Sequence, residues 1–489
     1  MTTNNNSGVS RMTSKTARKL GALSLASLSL AACSKDTLNI TNPNAVTVEN
    51  AASDPQTLAL QAAGLMRQNR GSLNTFQQNT GIFGRESYSY TPAEGRNTSH
   101  FLIGFPGQNR LDPGGFAAGG SWNAPYANLR DIFNFKKTVE ASIAFTDAQK
   151  KAALGFAKTL EAFELLFVVA TRDSLGGIVQ INEDPQELAP FVSRDSMYKY
   201  ILNTFDAAQA DLVAAGTATF PFTLHAGYAG FNTPATYIRF NRALAARAAA
   251  YYATAGGGTA AWERARTALD ASFINTAANT TAALNAGVYN VHGAAPDVPN
   301  PFNMVTNTTT FAHMSIRADA PLKADGTFDN RYLAKIGTRA ESNAPQGLGI
   351  PSSLGFNMYP AVATQTPIVR NEELILLRAE ILLALGDKAG SLAMINLIRT
   401  VSGGLAPSTL TTASSDADFI TEILLQKRYS LLLEGHRWVD MRRYGRLNQL
   451  PIDITTGVNT HFVARVQPIP QAECLQRAGL TGALAGPGC

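Results

Sequence analysis

The densest chemistry in this 489-residue chain lies in Glu434-Gly435-His436-Arg437-Trp438-Val439-Asp440-Met441-Arg442-Arg443-Tyr444-Gly445. Two carboxylates and an imidazole so close together could perform acid/base catalysis, with Glu434 and Asp440 exchanging a proton with substrate. The spacing favours a quieter role. Glu434 and Arg437 are three apart, as are Asp440 and Arg443, so on a helix each carboxylate meets a guanidinium that keeps it ionised. Trp438, Met441 and Tyr444 share the same step and would pack on one face. A second chemical group is Tyr88 and Tyr90, which alternate at strand period with Arg85, Glu86, Asn97 and His100 nearby. Flat exposed rings of this kind cover the apolar face of a sugar, while polar neighbours meet its hydroxyls.

A third group is Leu30-Ala31-Ala32-Cys33, a lipobox-like run of small residues before a cysteine. Basic residues up to Lys19 and the apolar run Leu20–Leu30 precede it. That run is shorter than the about 20 residues a membrane span requires and reads as a secretory signal. The expected division is a signal peptide over 1–32, a polar tether over 33–53, and a single domain over 54–489. Cys33 would carry lipid (palmitate and related acyl chains) on its sulfur. At about 0.8 kcal/mol per buried CH₂, several acyl chains anchor a protein stably. Cys474 and Cys489, the other two of three cysteines, suggest a disulfide stapling the tail in an oxidising compartment. A loop of that size contributes roughly 3 kcal/mol in the chain-entropy model.

Other chemistry has no foothold in the sequence. It has no P-loop, H-E-x-x-H, G-x-S-x-G or G-x-G-x-x-G, and the six histidines have no metal-ligand spacing. The expectation is therefore no catalytic residue, no metal and no cofactor, although two carboxylates of a glycosidase would leave no motif. The formal charge of +5 includes Arg11, Lys15, Arg18 and Lys19, and without them the remainder carries +1. Nucleic acid is not an expected partner of so neutral a surface.

The elements that must position these groups are mostly helical. Asp54–Asn69 reads as a first helix, and Thr146 with Gln149 forms a capping-box pattern before a helix striped by Phe156, Leu160, Phe163, Phe167 and Ala170. A helix over 193–215 follows. Two helix pairs share a layout, Pro234–Ala255 with 260–273 and Arg370–Leu385 with Lys388–Val401, each broken by glycine. Asp416–Gly445 reads as one long helix or a bent pair. Two stretches, about 71–120 and 275–366, lack period and read as long irregular insertions with a few short strands. The fold class is thus mostly α, an α-α superhelix of degenerate tetratricopeptide-like helix pairs.

The wording E-G-H-R-W-x-D-x-R-R-Y-G resembles the C-terminal signature of SusD/RagB-like outer-membrane lipoproteins. Thr41-Asn42-Pro43-Asn44, the Trp122-x-x-x-Tyr126 helix start, Asn371-Glu372-Glu373-Leu374 and Pro468-Ile469-Pro470-Gln471 extend the likeness in the same order. The chain departs from the family where Gln426-Lys427 and Ser430 replace a usual Glu-Arg pair and a further Glu, and where Phe156 and Glu161 replace a Glu and an Arg. The resemblance implies a surface-facing protein lipid-anchored to the outer membrane through Cys33. Such a protein binds a glycan, or in some relatives a peptide, and delivers it to a SusC-like TonB-dependent barrel. It makes Tyr88 and Tyr90 ligand candidates, and Glu434, Gly435, Arg437, Trp438, Asp440 and Arg443 a structural signature. Two other readings fit the residues: a lipid-anchored periplasmic scaffold that binds proteins, and an all-helical carbohydrate hydrolase.

Overall fold

The computed structural model describes residues 1–2 and 52–489. The signal segment, Cys33 and the tether up to residue 51 lie outside the described residues. Helix α1 (Pro55–Phe83) starts where the Asp54 carboxylate accepts from the Gln56 and Thr57 amides, with Pro55 in the first turn. It runs far beyond Asn69, which corrects the reading of an irregular segment from residue 71. The reason is chemical: its buried side carries Asn69, Ser72, Asn74, Gln77, Asn79 and Thr80, so burial leaves no apolar period to see. Partners wait on the next helices. Asn69 Nδ2 donates to Glu164 at 2.8 Å and Asn79 Nδ2 to Ser121 at 3.0 Å.

After α1 come β1 (Ser87–Ser89), α2 (Arg96–Leu102) and α3 (Phe116–Ala141). Helix α4 (Asp147–Arg172) carries the expected Thr146/Gln149 capping box and is buried along nearly its whole length from Ala152. It packs beside α5 (Arg194–Ala214) so closely that a Cβ on Gly155 would stand 2.5 Å from Leu212 Cγ. Helices α6 (Pro234–Tyr252) and α7 (Gly258–Asp270) form one pair around a wide turn, where Gly256 takes φ 126°. Helices α8 (Asn371–Ala384) and α9 (Lys388–Val401) form another, turned by Gly386 at φ 88°. Helix α8 is apolar on more than one side: Leu374, Leu377 and Ile381 join the main core, while Ile375 and Leu376 join a second cluster with Ile398 and Leu431.

The long insertion between these pairs holds strands β2 (Gly287–Asn290), β3 (Thr310–Ala312), β4 (Gly337–Ser342) and β5 (Ser352–Gly355), and β6 (Thr366–Arg370) ends it. They make three two-stranded antiparallel ladders, β1–β3, β2–β6 and β4–β5. In the first, Tyr88 sits opposite Phe311. The C-terminal stretch is a bent pair, α10 (Asp416–Ser430) and α11 (Arg437–Arg443), joined through Leu433 at φ 58° and Gly435 at φ 88°. Only glycine fits the latter turn, because a Cβ there would lie 2.5 Å from the Phe76 ring. Cys474 and Cys489 are disulfide-bonded. Among the described residues no helix is long and apolar enough to cross a membrane.

Candidate functional site

The signature is a buried clamp. Asp440 pairs with Arg443 and with Lys427, each at 2.7 Å, and the same two cations hold Glu380 of α8 at 2.7 Å. Tyr444 Oη donates to Glu380 Oε2 at 2.7 Å. Burial alone would raise the Asp440 carboxyl, but Lys427 and Arg443 overcome it and hold the group at about 2. The expected Glu434–Arg437 pair does not form. The turn at Leu433–Gly435 takes Glu434 off the helix, so the three-residue spacing no longer brings the two together. Glu434 instead binds Arg370 of β6 at 2.7 Å, and Arg437 reaches the Leu424 carbonyl at 3.5 Å. Trp438 is fully buried; its Nε1 donates to the Ala464 carbonyl at 2.7 Å and its ring lies 5.0 Å from Phe83. Two of the residues that depart from the resembled pattern, Lys427 and Ser430, are paired here. Lys427 supplies a cation, and the Ser430 hydroxyl donates to Glu372 at 2.6 Å while accepting from Arg331 at 2.9 Å.

The tyrosines lie elsewhere, on β1, and are not open to water. Tyr88 and Tyr90 are each 1% exposed. Their rings stack on one another at 4.8 Å, and Tyr88 stacks on His313 at 4.6 Å. Tyr88 Oη donates to Asp453 at 3.1 Å and Tyr90 Oη to the Ile350 carbonyl at 2.5 Å. The expectation of two exposed sugar-stacking rings is therefore corrected, because β3 and the loops carrying Ile350 and Asp453 cover them. Of their neighbours, Arg85 is equally committed. Arg85 donates to the carbonyls of Pro451, Ile82, Phe83 and Phe462, and burial pushes it down to about 10. Glu86 is buried, which pushes its carboxyl up to about 8 against the pull of Arg437.

The strand also borders a cavity. Buried Ser87 and Tyr88 and half-buried Ser89 line this space of about 170 Å³ beside α1. Gln78, Asn97 and Thr310 add amides and a hydroxyl to its wall, and Phe101 and Phe302 add apolar surface. Among the described residues no charged side chain lines it. Asn97 Nδ2 donates to Thr91 Oγ1 at 2.8 Å. A neutral, hydroxyl-rich molecule suits this lining, since its hydroxyls both donate and accept. Asn97 and the Tyr88/Tyr90 alternation were legible in the sequence. Gln78, Ser87, Ser89, Phe302 and Thr310 were not; the only available signal was the S-Y-S-Y period itself, which marks the strand without saying which face is open.

The model of the SusD family matches residues 362–477, the segment from before β6 through the clamp to α12 (Gln471–Gln476). Over that segment the chain is similar to the SusD family. No curated protein sequence matches it. Among solved structures, NanU of B. fragilis superposes with a TM-score of 0.63 at 13% identity, covering 91% of this chain and 99% of that one. A SusD superfamily protein from Bacteroides vulgatus ATCC 8482 gives 0.63 at 16% identity over 89% and 100%. Surface glycan-binding protein A from Bacteroides fluxus gives 0.61 at 14% identity over 89% and 100%. At these identities the shared feature is the fold, and this SusD-like fold is mostly α with a few short strands.

Proposed function

We propose that this SusD-like chain is a cell-surface lipoprotein, anchored in the outer membrane through Cys33, that captures a glycan and passes it to a SusC-like TonB-dependent barrel. The observation that carries glycan capture is the uncharged, amide- and hydroxyl-lined cavity between α1 and β1. The name of one fold neighbour, a surface glycan-binding protein, supports the same reading. A peptide would bring charged termini to a wall with no charge to meet them, so a neutral sugar is the better occupant.

The test is a glycan panel run by affinity electrophoresis. A Gln78→Ala/Asn97→Ala double variant should lose about 1–3 kcal/mol of binding, two side-chain hydrogen bonds' worth, toward any glycan the native protein retains. Unchanged retention would remove the cavity from the reading. Cys33→Ser should release the protein from membranes; continued fractionation with the outer membrane, in cells lacking the barrel, would rule out the lipid anchor. Membrane pull-down should bring a TonB-dependent barrel, and its absence would favour the scaffold alternative.

A further inference from the structure

A larger cavity, of about 340 Å³, lies between α3, the loop over 178–189 and the C-terminal tail. It shares no lining residue with the cavity beside β1. Its size is that of an ordinary ligand pocket, about 300–1,000 Å³. One wall carries Trp122, which is 3% exposed and whose ring is held by Tyr126 at 4.6 Å and Phe191 at 5.8 Å. Its indole N–H donates to no group among the described residues. A donor so nearly buried and unpaired within the protein is left to whatever acceptor occupies the cavity, water or ligand.

Tyr126 is already committed. Its hydroxyl accepts from the Ile178 amide at 2.7 Å and donates to the Ile178 carbonyl at 2.9 Å, which fixes the loop against α3. The free polar groups are the amides of Asn123 and Gln476, both exposed and bonded to nothing among the described residues. Ile181, Leu188 and Ala189 add apolar surface. The charges cancel: Glu473 pairs with Arg477 at 2.7 Å, and Arg130 and Glu187 add one of each sign.

The tail builds one side of this cavity. The Cys474–Cys489 disulfide closes a loop in which Arg477 donates to the Leu484 carbonyl at 2.8 Å. That loop grips Phe191, whose amide donates to the Ala483 carbonyl at 2.8 Å and whose ring lies 4.8 Å from the Arg477 guanidinium. Phe191 in turn stacks on Trp122, so the tail and the indole are packed through one ring.

We propose that this cavity is a second ligand site, which takes a neutral sugar unit, and that the disulfide-closed tail is the wall that completes it. Amides both donate and accept, as sugar hydroxyls require, the indole N–H holds one oxygen, and the apolar residues cover C–H surface. The inference rests on the glycan-capture reading above and adds a site to it.

The experiment is calorimetry on the full-length lipid-free chain with neutral disaccharides (cellobiose, xylobiose, lactose and sucrose), and glycyl-glycine as a zwitterionic control. A Gln78→Ala/Asn97→Ala variant, which disables the β1 cavity, should still bind at least one of these sugars. Adding Asn123→Ala/Gln476→Ala, at exposed positions, should weaken that residual binding roughly tenfold, the loss of one or two hydrogen bonds. Cys474→Ser/Cys489→Ser should weaken it to a similar extent while the folded variant keeps binding at β1. No residual binding, residual binding indifferent to Asn123→Ala/Gln476→Ala, or glycyl-glycine held more tightly than every sugar overturns the inference. Undiminished residual binding in a folded Cys474→Ser/Cys489→Ser variant overturns the role of the tail. Binding abolished by Gln78→Ala/Asn97→Ala alone would then leave glycan capture at β1 standing. Binding sensitive only to Asn123→Ala/Gln476→Ala upholds this site and removes the β1 cavity instead.

Discussion

The clamp at Glu434–Gly445 and the cavity between α1 and β1 are built from opposite materials. The clamp is crowded with ionisable groups, and they are spent on one another: Asp440 and Glu380 share Lys427 and Arg443, and Glu434 holds Arg370. The cavity between α1 and β1 has no charged lining, and its polar groups are short and neutral: Gln78, Ser87, Ser89, Asn97 and Thr310. A motif that identifies a family can thus be the part least able to bind anything. Buried charges demand fixed partners, because each unpaired one costs several kcal/mol, and fixed partners leave nothing for a ligand. Side chains that solvent can satisfy need no partner and remain available.

The contrast can be broken in three ways. The largest effect is expected from Trp438→Ala, which should cost about 3–5 kcal/mol in urea unfolding by emptying a buried site. The folded variant should bind glycan like the native protein, and lost binding with normal stability would move function back to the clamp. Next in size is the reciprocal Gln78→Ala/Asn97→Ala variant, expected to weaken binding by about 1–3 kcal/mol and leave the unfolding midpoint within experimental error. A lowered midpoint would mean that the cavity wall is structural. The smallest effect concerns pH. The Glu86 carboxyl titrates at about 8 when folded against 4.5 for the free group. Between those values the folded state binds more protons than the unfolded one, so this group's contribution to stability falls as pH rises from 4.5 through 8. Glu86→Gln should flatten that part of the stability–pH curve, and an unchanged slope would show that the group is not held protonated.

Legibility followed polarity. The α4 capping box and its phenylalanine stripe, the α8–α9 pair and the bent C-terminal helices were readable because apolar residues recur at helical steps beside recognisable caps. Residues 71–83 were not, since Asn74, Gln77, Asn79 and Thr80 are buried with polar partners or polar neighbours and Gly71 interrupts the pattern. Tyr88 and Tyr90 were singled out as alternate residues of a strand, which they are, but as exposed rings; both are buried, and Tyr88 still borders the cavity beside α1. Period two assigns residues to two faces, but which face meets water depends on β3 and the loops bearing Ile350 and Asp453, more than two hundred residues away.

By itself the sequence determined the helical architecture, the SusD-like signature and the expectation of a lipidated Cys33, because caps, periodicity and short motifs are local properties. Only the tertiary structure decided that Glu434 pairs with Arg370 rather than Arg437, that the rings of Tyr88 and Tyr90 are buried, and that Gln78 and Ser89 border one cavity. Those outcomes depend on which distant segment fills the space beside each side chain, and no local spacing carries that information.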